Sequence, residues 1–226
     1  MSLLKKGMIF LFAATLFVAC SDDDDDPVVD TTDQTDPDVT DPTDPTDPTD
    51  PVNNHPLAGT SWSLAQQAAA LAVGPTAEDP AGWWANNGGT DPNSEPPGDL
   101  AVRACIFDDV VTFNADETLS MSMGDETWIE SWQDGADEGC RAPIAPHDGS
   151  NPATWSADDA TITVVGDGAH LGLAKVHNTG EDGDPVDDTI VYNYVLSEDG
   201  NTLVLSITGG WHPEPAATWQ FTYSKN

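Results

Sequence analysis

The stretch "TIVYNYVLSEDGNTLVLSIT" (residues 189–208) most constrains this fold. Apolar and polar residues alternate on both sides of "EDGN". A period of two puts one set of side chains on each face of a strand, and an Asp-Gly turn between two such runs marks a hairpin. The pattern recurs. "DVVTF" (109–113) leads through "NADE" into "TLSMSM" (118–123), and "ATWSADDATITVV" (153–165) is a third hairpin turning at Asp-Asp. "TSWSL" (60–64), "TWIESW" (127–132) and "TWQFTY" (218–223) alternate alone. "LAQQAAALA" (64–72) is rich in helix formers and predicts one short helix. Eight or nine short antiparallel strands in chain order predict an all-β fold, an up-and-down barrel or a curled sandwich. "NNGGTDPNSEPPGD" (86–99) and "TGEDGDPVDD" (179–188) are long polar loops, the kind that border sites.

The ends belong to a different kind of chain. Lys5 and Lys6 precede an apolar run, residues 7–18, too short to span a bilayer. Residues 1–19 therefore read as a signal peptide. "LFVAC" resembles a bacterial lipobox, with Cys20 as the lipidated residue. "SDDDDD" follows, a like-charge block that stays solvated, and it resembles a surface-export signal of Bacteroidetes lipoproteins. Residues 35–51 are an Asp-Pro-Thr repeat that favours extended polyproline II and repels itself straight. The expectation is three parts: 1–19 leader, 20–51 anchor and acidic stalk, 52–226 one β-domain at the outer membrane's cell surface.

Charge excludes one class of partner. Of 40 acidic and 6 basic residues, thirteen acids fall in residues 21–51 and two lysines in the leader. The domain keeps 27 acids against Arg103, Arg141, Lys175 and Lys225, a net of −23. Nucleic-acid binding rests on phosphate neutralisation by Lys and Arg, so no nucleic acid is expected. Anionic polymers are repelled as well, and a neutral glycan fits better. Cys105 and Cys140 are the domain's two cysteines. In an exported chain they predict one disulfide rather than a zinc or redox site.

Several residues are candidates for chemistry. Glu126 and Glu130 have the residue types of a glycosidase pair. On a strand over 127–132 they share a face with Trp128. "ETWIES" lacks the Glu-x-Asp-x-x-Glu spacing of laminarinase-type enzymes, so no catalysis is expected. The histidines (His55, His147, His170, His177, His212) show no metal-ligand spacing. His170 and His177 are expected on a rim, and "APHDGS" (145–150), with Asp148, reads as a turn. "EDGDPVDD" is oxygen-rich enough to suggest calcium but lacks EF-hand spacing; no other cofactor is expected. Of eight tryptophans, Trp62, Trp155 and Trp219 sit in apolar strand patterns and read as core. Trp83, Trp84, Trp128 and Trp211 are expected as sugar-stacking platforms, with Glu126, Glu130 and Asp148 as hydroxyl partners.

The opening "LAGTSWSL", with Gly59 and Trp62, resembles the Gly-x-x-Trp start of lipocalin-like barrels. The strings around Cys105, Phe107-Asp108-Asp109, Gly124-Asp125-Glu126-Thr127-Trp128, Trp132, Cys140, Ala145-Pro146-His147-Asp148-Gly149-Ser150 and Leu171-Gly172-Leu173 resemble a lipocalin-like β-domain. That domain occurs in surface lipoproteins of marine Bacteroidetes and appended to laminarinase-type glycoside hydrolases. The resemblance implies capture of a neutral polysaccharide, such as a β-glucan, alongside polysaccharide-uptake machinery. Two alternatives stand beside it: a carrier of a small apolar ligand, which needs a hollow barrel, and a glycoside hydrolase, which needs two carboxylates facing across a cleft.

Overall fold

The computed structural model describes residues 53–135, 137–209 and 216–226. The expected leader (1–19), Cys20, the expected stalk (20–51) and Trp211 lie outside the described residues. The fold is all-β. The barrel strands are β1 (Thr60–Leu64), β4 (Val110–Phe113), β5 (Thr118–Ser122), β8 (Ala153–Ala157), β9 (Thr161–Val165), β12 (Thr189–Leu196), β13 (Thr202–Gly209) and β14 (Ala217–Lys225). Each pairs antiparallel with the next in this order, and β14 closes on β1. This is the up-and-down barrel rather than the curled sandwich. The three hairpins form in the expected segments.

Two strands extend the sheet beyond the closure: β2 (Leu71–Gly74) pairs with β14, and β3 (Trp84–Ala85) pairs with β2. Two small hairpins, β6–β7 (Thr127–Ile129, Gly139–Arg141) and β10–β11 (Val176–His177, Gly180–Glu181), stand apart. Two single-turn helices, α1 (Asp99–Val102) and α2 (Ser131–Asp134), and two 3-10 turns, Ala104–Ile106 and Val186–Asp188, complete the described elements.

Two sequence expectations fail, each for a local reason. No helix forms over 64–72. Leu64 ends β1 and Leu71 starts β2, so the Ala-rich stretch between them is an excursion from one ladder. Ala65 N–H donates to Thr222 O, and Thr222 N–H donates to Ala70 O. Asn86, almost fully buried, staples the excursion. Its Oδ1 accepts from Leu71 N–H at 2.8 Å and its Nδ2 donates to Gln67 O at 3.0 Å. A few residues of good propensity cannot nucleate a helix against a sheet edge that needs partners. The strand over 127–132 is also cut short at Ile129. Glu130 N–H donates to Gln133 Oε1, and Gly135 takes φ 75°, so α2 starts and ends within a few residues.

The barrel interior is filled. Trp62, Phe113, Trp155, Ile162, Ile190, Tyr192, Leu203, Leu205 and Phe221 are all at most 2% exposed. Burying each large side chain contributes about 1.5–3 kcal/mol. Residues 166–175 cross one mouth as a plug. Leu171 and Leu173 bury there, while the N–H groups of Leu171 and Gly172 donate to the hydroxyls of Tyr192 and Tyr223. Among Trp62, Val111, Phe113, Leu171, Leu203, Leu205 and Tyr223 there is no room for a water molecule. An eight-stranded barrel is narrow enough for side chains to fill it.

The Cys105–Cys140 disulfide forms as expected, with Cα atoms 5.8 Å apart. It ties the turn after α1 to β7. The chain-entropy estimate for a 35-residue separation is about 3–4 kcal/mol.

Gly172 holds the plug. Its φ is +85°, and a Cβ there would lie 2.5 Å from the Phe221 ring. We predict that Gly172→Ala costs about 3 kcal/mol, because strain and overpacking add. Thermal unfolding should shift down by roughly 5–10 °C; an unchanged transition would show that the plug does not seal the core.

Candidate functional site

The barrel closure creates a cavity. β14 pairs with β13 along its whole length. Its other edge is divided: residues 223–225 pair with β1, and residues 218–221 pair with β2. Below the closure the sheet therefore continues through β2 and β3 instead of β1. Residues directly opposite in a ladder share a face. Trp219 opposes Val73, and Val73 opposes Trp84, so the three form one row across β14, β2 and β3.

That row floors a cavity of about 230 Å³. Val73 lies between the two tryptophans, and Leu71, opposite Phe221, lines the space beside it. Leu173 of the plug, Arg103, Lys175 and Glu181 complete the lining. Trp219 is only 5% exposed, whereas Trp84 is 37% exposed. The site thus pairs a fixed indole with an open one, over an apolar floor and under a polar rim.

Two of the domain's four basic residues sit here. The Arg103 guanidinium lies 3.9 Å from the Trp128 ring centroid and 5.5 Å from that of Trp84. Its acid is Asp99, at 3.9 Å. Lys175 Nζ lies 3.3 Å from Glu130 Oε2 and 5.5 Å over the Trp219 ring. Glu181 accepts the Trp219 indole N–H. Burial pushes the Glu181 carboxyl above its usual range, opposed by that hydrogen bond and by Lys175. Burial raises Glu130 too, with Lys175 pulling the other way.

The residues expected to touch ligand divide. Trp84 lines the cavity. Trp83 is 44% exposed beside it, with its N–H on Val73 O. Trp128 is not an open platform: it is buried, with Arg103 over its face. Glu130 is 1% exposed and sits behind Lys175, so it offers nothing to a ligand's hydroxyls. Glu126 is exposed, but it borders a separate open depression with Asp108, Asp125 and the disulfide. Glu126 and Glu130 therefore do not face each other across a cleft. Asp148 Oδ1 accepts from the Ser150 N–H and Oγ–H in the expected turn, and Asp148 is not among the residues lining this cavity.

The histidines also differ from expectation. His170 and His177 are buried, not on a rim. Burial lowers His170 to about 4, and its Nδ1 lies 2.9 Å from Gly168 O. His147 packs edge-on against Trp132, with Asp184 Oδ1 3.2 Å from Nε2. Among the described residues, no three His, Cys, Asp or Glu side chains are grouped to hold a metal ion.

Asp109 occupies a second, minor cavity of about 20 Å³, room for one water. Its Oδ2 accepts from Thr127 Oγ1–H, and its buried Oδ1 has no partner. Burial raises its carboxyl to about 7, with the Thr127 bond opposing. A carboxyl with a raised folded-state pKa stays protonated in the fold where the unfolded chain has ionised. Its contribution is fully present below the unfolded value and lost as pH rises to about 7. We predict that Asp109→Asn raises the unfolding temperature at pH 8 and changes it little at pH 4. Equal shifts at both pH values would contradict a desolvated acid.

No protein-family model matches the chain, and no curated protein matches it.

Proposed function

We propose that the domain is a non-catalytic saccharide-binding module of a lipid-anchored lipoprotein on the bacterial outer-membrane surface. Its ligand is a largely neutral polysaccharide such as a β-glucan, offered to uptake machinery. The observation that carries this reading is the Trp84–Val73–Trp219 row beneath Arg103, Lys175 and Glu181. Indole faces stack against the C–H faces of pyranose rings, and the flanking polar groups exchange hydrogen bonds with hydroxyls. The cavity is large enough for one such ring.

The filled interior weighs against a carrier of a small apolar ligand inside the barrel, since the space among Trp62, Val111, Phe113, Leu171, Leu203, Leu205 and Tyr223 admits no water. Glu126 on an open depression and Glu130 buried weigh against the carboxylate pair that motivated a hydrolase.

The test is affinity electrophoresis and calorimetry of the full-length chain against a panel of neutral glucans, with product analysis on the same samples. Trp84→Ala should weaken binding about tenfold or more, in the range of an aromatic hot spot. Its unfolding temperature should hold, because the ring is half exposed. Glu126→Gln should bind like the parent. Retained affinity in Trp84→Ala would sink the site assignment, and appearance of shortened products would replace a capture module with an enzyme.

A further inference from the structure

The cavity's charge is out of character with the chain. The domain carries 27 acids and four bases, yet Arg103 and Lys175 both line this one small space. Lys175 is already committed to Glu130 at 3.3 Å, and Glu181 to the Trp219 indole. Arg103 is different. Its guanidinium carbon lies over two indoles, 3.9 Å from the Trp128 ring centroid and 5.5 Å from that of Trp84. A guanidinium over an aromatic face bonds other groups through its in-plane N–H groups. Among the described residues that guanidinium makes no hydrogen bond: Asp99 stands at 3.9 Å, and the buried Nε has no partner.

A rigid, charged fork with unused donors, next to an indole face, has a matching chemistry. Carboxylates accept two parallel N–H bonds from a guanidinium, a geometry that lysine cannot reproduce. We propose that the cavity takes a carboxylate-bearing sugar unit, its acid on the in-plane N–H groups of Arg103 and its ring against Trp84. This rests on the saccharide reading and refines it. The unit is an isolated uronic acid on an otherwise neutral glycan. The acids on the loops repel a polyanion over the Debye length, about 8 Å at physiological ionic strength, whereas a single carboxylate in contact with Arg103 meets the fork directly.

The experiment compares three probes on the full-length chain by calorimetry at physiological salt. They are a glucose oligosaccharide ending in glucuronate, the same oligosaccharide with its carboxyl reduced to the alcohol, and a polyglucuronate. The acid-ended probe should bind about tenfold tighter than its reduced twin, as a charge-assisted bond implies. Polyglucuronate should bind more weakly than the acid-ended probe. Arg103→Lys should lose most of the preference while its unfolding transition and disulfide remain.

Equal affinity for the acid-ended and reduced twins overturns the inference and leaves the saccharide reading standing. Failure of both twins to bind, with neutral glucans also silent, overturns both. Polyglucuronate as the tightest probe overturns the isolated-acid assignment. A full preference retained by Arg103→Lys overturns the role of the fork. The comparison of twins on the unsubstituted protein needs no variant to fold.

Discussion

Everything at the candidate site depends on how β14 shares its second edge. A strand nine residues long must find partners for its backbone groups on both sides. One side is β13 throughout. On the other, the chain supplies β1, leaves for residues 66–69, and returns as β2. Thr222 marks the junction, accepting from Ala65 and donating to Ala70. Because the ladder is interrupted, β1 can curl away into the barrel closure while β2 runs on towards β3. The cavity lies over that continuation, on Trp219 of β14, Leu71 and Val73 of β2 and Trp84 of β3. Asn86 keeps the interruption from slipping, since its side chain bonds Leu71 and Gln67, at opposite ends of the excursion.

Charge is segregated as sharply as the strands are paired. The eight barrel strands hold one charged residue, Lys225, and their outward positions are mostly Thr, Ser, Val and Asn. The carboxylates sit in turns, where several bond their own loop, as Asp158 does with Ala160 and Thr161. Such carboxylates are held below their usual range by hydrogen bonds to nearby N–H groups. The acidic surface is therefore a property of the loops, well solvated and screened by salt. The cavity's wall gathers two of the domain's four bases, Arg103 and Lys175, each over an indole and each beside an acid, Asp99 and Glu130.

The barrel was legible because period-two patterning and Asp-rich turns are local signals. The register across β12 and β13 follows directly from the short turn that joins them. The failures came where tertiary demands override local preference. Residues 64–72 have helical composition, but β14 needed an edge partner. Glu130 and Gln133 are three apart with Gly135 just beyond, a helix start and stop that alternation hid inside "TWIESW". Trp128 resembled a platform from its acidic neighbours, yet burial depends on what packs over it, and Arg103 is 25 residues away in the chain. Trp219 read correctly as core, and nothing local said that the core opens beside it. The one usable sequence signal for the site was scarcity: four bases among 27 acids, two of which turned out to share a wall.

The filled barrel and the outer cavity are two consequences of one packing choice. Inward positions of β14 carry Trp219, Phe221 and Tyr223 in alternation. Phe221 and Tyr223 meet the plug: Gly172 lies under the Phe221 ring, and its N–H reaches the Tyr223 hydroxyl. Trp219 stacks parallel to Phe221, centroids 6.2 Å apart, but lies where β2 replaces β1 as the partner of β14. It is the last ring of the core and the first wall of the cavity. Stability and recognition are thus coupled at Trp219, since removing a buried indole leaves a void in the core. At Trp84, on the two-residue edge strand β3, they separate. The core ring fixes the site's position, and the edge ring is free to set what the site holds.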